Sequence, residues 1–343
     1  MTEAYDKLRT NAIQFSAPRL NQHAKAPWRN FEFSCFSQVG DDGLLYRIFG
    51  ILGWGNRRSV EIGYFPHEAN TVNLIVSQNF SGLLMDGNTD LTVTRSWYAS
   101  IDGYLDILKE DHRQSQQMRT FKTPTDMDLS MKCAPYCLET CYNLNCFKAP
   151  VTVKTPHLHK GKVTAENAGE LIDNAFRPES VRGDGGLDIL SIDIDGMDYF
   201  IMKGILDSGV KPRVIATEFA SHLGHELALT RPYSAEFSAA ADSFQYGASI
   251  MAFIKLLRRF KYRFIGCVEW NAYFVLESEI TRANADSAFP EQDAFSCFYQ
   301  DQTTRKSEVI RLHKALAVEW VEVEAAKPKG WDEIYSLLTK NLA

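Results

Sequence analysis

Apolar and polar positions along the chain fall into blocks whose spacing switches between the helical period and the short continuous run of a buried strand. DDGLLYRIFGILG (41–53) carries apolar residues at helical spacing and stops at a glycine. SVEIGY (59–64) is a short apolar run, ANTVNLIVSQNF (69–80) returns to the helical period, and GLLMDG (82–87) is a second strand-like run. Strand, helix and strand within about 30 residues is the length that a parallel crossover needs.

Residues 88–149 break this rhythm and predict a helix followed by an inserted, largely helical or irregular segment. Beyond it the pattern resumes with a strand in PVTVKT (150–155), a helix in TAENAGELIDNAF (164–176) and a strand in DILSIDI (188–194). A helix in MDYFIMKGIL (197–206), a strand in RVIATEF (213–219) and an amphipathic helix in YGASIMAFIKLLRRF (246–260) follow. YRFIGCVEWNAYFVLES (262–278) predicts two strands joined by a tight turn at 269–271, an antiparallel pair closing an otherwise parallel sheet. The expected fold is therefore α/β with a mostly parallel sheet. An N-terminal extension (1–36) precedes the main domain (37–278), and a helical C-terminal extension (279–343) follows it.

Charge and composition narrow the partners. A net charge of −6 gives no reason to expect nucleic acid or an anionic membrane surface and leaves small molecules open. The first residues lack the basic start and apolar stretch of a secretory signal, and no run reaches the roughly 18 apolar residues of a membrane span. The expectation is a cytoplasmic chain that inserts into no membrane and admits homo-oligomers. In that setting its seven cysteines predict reduced thiols or metal ligands. Cys133, Cys137, Cys141 and Cys146 are close enough to invite zinc or an iron–sulfur cluster. The first three also fall at i, i+4 and i+8, the spacing of small residues on one helix face. His157 and His159 could supply further ligands, and a surface loop in PHLHKGK explains them as well.

Ligands of an open parallel sheet bind beyond the carboxyl ends of its strands, and the chemistry-bearing residues fall at such ends. Glu61 and Gly63 close the first strand, where a glycine lets the backbone turn and approach a ligand. Asp86 ends the second, about 20 residues past that glycine, where an acid can hold a ribose diol; a plain Asp-Gly turn explains it equally well. SIDIDGMDYF (191–200) places Asp193, Asp195 and Asp198 at the end of the fourth strand, and Glu218 ends the fifth. Converging hard oxygens suit a Mg²⁺-like ion, whereas turn formation and helix capping would account for Asp195 and Asp198 without one. A calcium EF-hand is a poor fit because Gly204 stands where its last acid belongs.

Taken in order, SQVGDDGLLYRIF, VEIGYFPHEANTVNL, GLLMDG, VTAEN, LDILSIDIDGMDYFI, KPRVIATEFAS and the stretch from YGASIMAF to WNAYFV resemble FkbM-type and related S-adenosylmethionine-dependent methyltransferases over residues 37–278. The resemblance implies a Rossmann-like class I methyltransferase sheet with S-adenosylmethionine over its first two strands. Glu61, Gly63, Asp86 and Asp193 then fall at the cofactor. Comparison with Mg²⁺-dependent sugar O-methyltransferases places Asp195 and Glu218 as metal ligands and Asp198 as base. It implies a sugar or glycosylated small molecule as acceptor. The chain departs from the pattern at GYFPHE, where Tyr64, Phe65 and Pro66 replace a second glycine, and at Asp198, where histidine is common. These departures also admit a protein of this architecture that binds without turnover.

Overall fold

The computed structural model describes residues 36–37, 40–65, 69–99, 154–223, 225, 227–237, 247–297 and 321–323. Seven strands form the main sheet: β1 (Arg58–Ile62), β2 (Ser81–Asp86), β3 (His157–Lys160), β4 (Ile189–Ile192), β5 (Val214–Glu218), β6 (Tyr262–Val268) and β7 (Asn271–Leu276). Their order is β3-β2-β1-β4-β5-β7-β6. All pairs from β3 to β5 are parallel, and β7 runs antiparallel to both of its neighbours. This is the α/β fold and the antiparallel closing pair that the apolar pattern predicts.

Seven α-helices accompany the sheet among the described residues. They are α1 (Asp41–Leu52), α2 (Val72–Gln78), α3 (Leu91–Trp97), α4 (Ala168–Ala175), α5 (Asp198–Asp207), α6 (Ile250–Arg259) and α7 (Glu277–Arg282). Side chains of a strand alternate between faces, and the core divides accordingly. Tyr273 and Val275 of β7 join Leu44, Phe49, Val72 and Ile75 in a cluster under α1 and α2. Phe274 and Leu276 join Ile172, Ile201 and Phe253 on the face covered by α4, α5 and α6. Burying one such side chain stabilises the fold by about 1.5–3 kcal/mol. Ser249 caps α6: its Oγ accepts from Ala252 N–H at 3.2 Å while donating to the Leu227 carbonyl at 2.6 Å.

Two expectations are corrected. Among the described residues the third strand is His157–Lys160, beyond the expected 150–155, so the two histidines lie on the sheet rather than in a loop. Residues 150–153 lie outside the described residues. As the edge strand next to β2, β3 has exposed ends at His157 and Lys160, and a polar sequence there conceals a strand. The expectation of reduced thiols fails for Cys267 and Cys297, which form a disulfide, a bond more usual in oxidising compartments than in the cytosol. β6 and the turn at 294–297 pack together, with Gln292 N–H donating to the Phe264 carbonyl at 3.0 Å, and this brings the sulfurs into reach. The loop closed by the bond spans 30 residues, so reduction is expected to cost about 2–4 kcal/mol. Thermal melting with and without a phosphine reductant checks this, and identical midpoints would contradict it.

At the amino-terminal edge of the sheet, Arg213 is 2% exposed. Its Nη1 donates to Asp188 Oδ1 and to the Gly53 carbonyl, both at 2.8 Å, and its Nε donates to Glu279 Oε2 at 2.6 Å. Nη2 reaches the Leu52 carbonyl at 2.9 Å. One guanidinium thus ties α1, β5 and α7 together beneath the sheet and leaves the opposite edge for the site.

Candidate functional site

The strand order reverses direction between β1 and β4, so the loops leaving these two strands part and a crevice opens at their carboxyl ends. A cleft of about 710 Å³ lies there. Gly63 forms its floor. Its φ is +80°, its N–H donates to the Met85 carbonyl at 2.8 Å, and a Cβ would lie 1.7 Å from the Asp193 carbonyl. The loop after β4 crosses directly over this residue, which gives a structural reason for glycine beside any approach of a ligand. Gly63→Ala is expected to cost about 1–3 kcal/mol for the left-handed backbone alone, with the overlap adding to it. A urea midpoint equal to that of the wild type would contradict this.

Glu61 borders the cleft, but both of its oxygens are taken. Asn70 N–H donates to Oε1 at 2.6 Å; Thr71 donates to Oε2 through its N–H at 2.8 Å and its hydroxyl at 2.7 Å. The carboxylate thereby holds the residues that start α2, and burial pushes its pKa up to about 7. The next two aromatic side chains separate. Tyr64 is buried in the cluster under α1 and α2, while Phe65 is 62% exposed. Neither closes the cleft. At the tip of β2, Asp86 Oδ1 accepts from Asn88 N–H at 2.6 Å and from Thr89 N–H at 2.7 Å. It also accepts from the Thr89 hydroxyl at 2.8 Å. All of these bonds fall on Oδ1.

Across the cleft, Asp193, Asp195 and Glu218 each offer a carboxylate oxygen, and the three oxygens lie within 4.8 Å of one another. Among the described residues no other three Asp, Glu, His or Cys side chains are so placed. Asp195 has a φ of +50°, a left-handed conformation that aspartate tolerates better than most residues and that turns the loop back into the cleft. Asp193 and Glu218 share a hydrogen bond. Desolvation first, then the repulsion of neighbouring carboxylates, pushes Asp193 up to about 8 and Glu218 well above its ordinary value. A group that costs so much to ionise alone is suited to a divalent cation, and its hard oxygens fit a Mg²⁺-like ion.

Asp198 stands apart from these three. Its Oδ1 accepts from Ile194 N–H at 3.0 Å and its Oδ2 from Gly196 N–H at 2.9 Å, so it shapes the loop that carries Asp195. Desolvation raises its pKa. Asp193, expected beside the cofactor, lines the same cleft as Gly63 and belongs to this acid group. Cys133, Cys137, Cys141 and Cys146 lie outside the described residues. Several lining residues escape the sequence reading, among them Lys162, Tyr233, Phe237, Trp270 and Asn271. Lys162 follows β3, and Trp270 and Asn271 join β6 to β7, so the same rule of strand ends would have found them. Tyr233 packs on Phe200 with ring centroids 5.0 Å apart and donates to Glu166 Oε2 at 2.6 Å. No helix among the described residues is long and apolar enough to cross a membrane. Compared with known proteins, the chain matches no protein-family model and shows no significant match to a curated protein.

Proposed function

We propose that the chain is an S-adenosylmethionine-dependent methyltransferase that moves a methyl group to an oxygen of a sugar or glycosylated small molecule with help from a divalent cation. The observation that carries this reading is the convergence of Gly63, Asp86 and the Asp193–Asp195–Glu218 group on one cleft at the reversal of strand order. The order itself supports it: it is the dinucleotide-binding order 3-2-1-4-5-6 with one antiparallel strand inserted before the last.

In this reading the half of the cleft over β1 and β2 takes the nucleoside. Asp86 Oδ2, which makes none of the bonds that fold the turn, accepts from the ribose hydroxyls. Glu61 keeps α2 in register so that the loop over Gly63 stays open, and Gly63 lets the Asp193 backbone pass. S-adenosylmethionine supplies an electrophilic methyl carbon on a sulfonium. The acceptor oxygen would bond to that carbon as the carbon–sulfur bond breaks, leaving a neutral thioether, and the hydroxyl proton would leave to water in the open cleft. A cation held by Asp193, Asp195 and Glu218 would supply the charge that lowers the pKa of the acceptor hydroxyl. Asp198 orients Asp195 through the loop, and the remaining catalysis is positioning of the two reactants.

Described lining residues carry five acids, Glu61, Asp86, Asp193, Asp195 and Glu218, against one cation, Lys162, which disfavours anionic acceptors. The direct test incubates the chain with S-adenosylmethionine and a panel of neutral glycosides and follows S-adenosylhomocysteine release with Mg²⁺ or with chelator. Release that needs both glycoside and Mg²⁺ is expected. Cofactor binding without any release would move the chain to a binding protein of the same architecture.

A further inference from the structure

Asn271 is the first residue of β7 and pairs directly across from Glu218 on β5. Side chains of such a pair project from one face of the sheet, about 4.5–5.5 Å apart at Cβ. Asn271 is 3% exposed, and it borders the cleft together with Asp193, Asp195 and Glu218. Its Nδ2 donates to Asp41 Oδ1 at 3.1 Å, which settles the orientation of the amide. Asp41 is fully buried at the start of α1 and also accepts from the Tyr273 hydroxyl at 2.5 Å. The amide oxygen of Asn271 is then turned away from Asp41, and among the described residues it has no hydrogen-bond partner.

A side chain at this position must donate on one side, to a buried carboxylate, and offer an oxygen on the other. An amide does both; a carboxylate would repel Asp41, and a leucine of similar size would do neither. Amide carbonyls are ordinary ligands of hard divalent cations. We infer that Asn271 is a fourth protein ligand, a neutral oxygen completing the cation site of Asp193, Asp195 and Glu218. The assignment rests on the cation-dependent reading above and adds to it the residue that links the site to α1.

The test uses Mn²⁺ alone, followed by electron paramagnetic resonance, on the full chain and on Asn271→Leu, Asn271→Asp and Glu218→Gln, with thermal melting as the control for folding. The wild type is expected to bind one Mn²⁺. Asn271→Leu should weaken binding by roughly tenfold to a hundredfold, whereas Asn271→Asp, which keeps an oxygen but loses the N–H, should bind at least as well as the wild type. Equal losses in both variants would assign the effect to the bond with Asp41 and overturn the proposal, as would unchanged affinity in Asn271→Leu. On the unsubstituted chain, saturating Mn²⁺ should broaden the side-chain amide resonances of Asn271 and spare those of Asn56, whose Nδ2 bonds the Gly185 carbonyl at the amino-terminal end of the sheet. Sharp Asn271 signals would also overturn it. If the wild type binds no Mn²⁺ at all, the cation-dependent reading itself fails, a result separate from either outcome for Asn271.

Discussion

Arg213→Met is expected to lower the free energy of unfolding by about 3–5 kcal/mol, because it leaves the buried carboxylate of Asp188 without its counter-charge. Asp188 is fully buried, and its remaining partners, Arg58 N–H at 2.9 Å and the backbone of Asn56, carry no charge. The substitution also releases the carbonyls of Leu52 and Gly53, which have guanidinium donors in the native fold. Glu279 is less affected, since Arg282 remains beside it. Domain stabilities are about 5–15 kcal/mol, so a loss of this size is readable as a large fall in the urea midpoint. A companion Asp188→Leu in the same chain should recover part of the loss, because the stranded charge dominates the cost. A midpoint within experimental error of the wild type would show that the network is incidental.

Glu218→Gln is expected to reduce Mg²⁺-dependent methyl transfer by about a hundredfold or more, since it removes charge from the acid group without changing its shape. The same group sets the dependence of stability on pH. Asp193, with an ordinary value of 3.8, is pushed up to about 8 in the fold. An acid whose folded pKa is raised contributes stability that is fully present below its unfolded value and is lost as pH rises through the folded one. The metal-free chain should therefore melt at progressively lower temperature from about pH 4 to pH 8. Protons and cations compete for these oxygens, so Mg²⁺ should raise the melting temperature most at the alkaline end of that window. Glu218→Gln should flatten both trends. A melting temperature that neither falls with pH nor responds to Mg²⁺ would remove the cation site.

How far the chain could be read without coordinates varied with the physics of each element. β1, β2, β4 and β5 are buried parallel strands, so they appear in the sequence as continuous apolar runs and their ends fall within about two residues of expectation. β3 has no such run, because it is an edge strand carrying His157 and Lys160, and the apolar pattern does not mark it. The acids at the strand tips were legible from topology alone. Their division of labour was not: Asp198 binds two backbone amides of its own loop, a fact of loop geometry that spacing does not encode. The inward turn of Tyr64 was equally hidden, because the sequence shows bulk beside Gly63 but not its direction. Asn271 meets Asp41 across 230 residues, and no local pattern announces a pairing of that range.

Methyl transfer as proposed requires the tips of β1 and β2 to hold a nucleoside beside the acid group. Titration calorimetry of S-adenosylhomocysteine into the wild type and Asp86→Asn tests it most directly, because the amide can keep the Oδ1 bonds to Asn88 and Thr89 while turning the free acceptor into a donor. One binding site is expected in the wild type, with an affinity lower by about tenfold to a hundredfold in the variant. No binding to the wild type, or equal affinity in both, would contradict it.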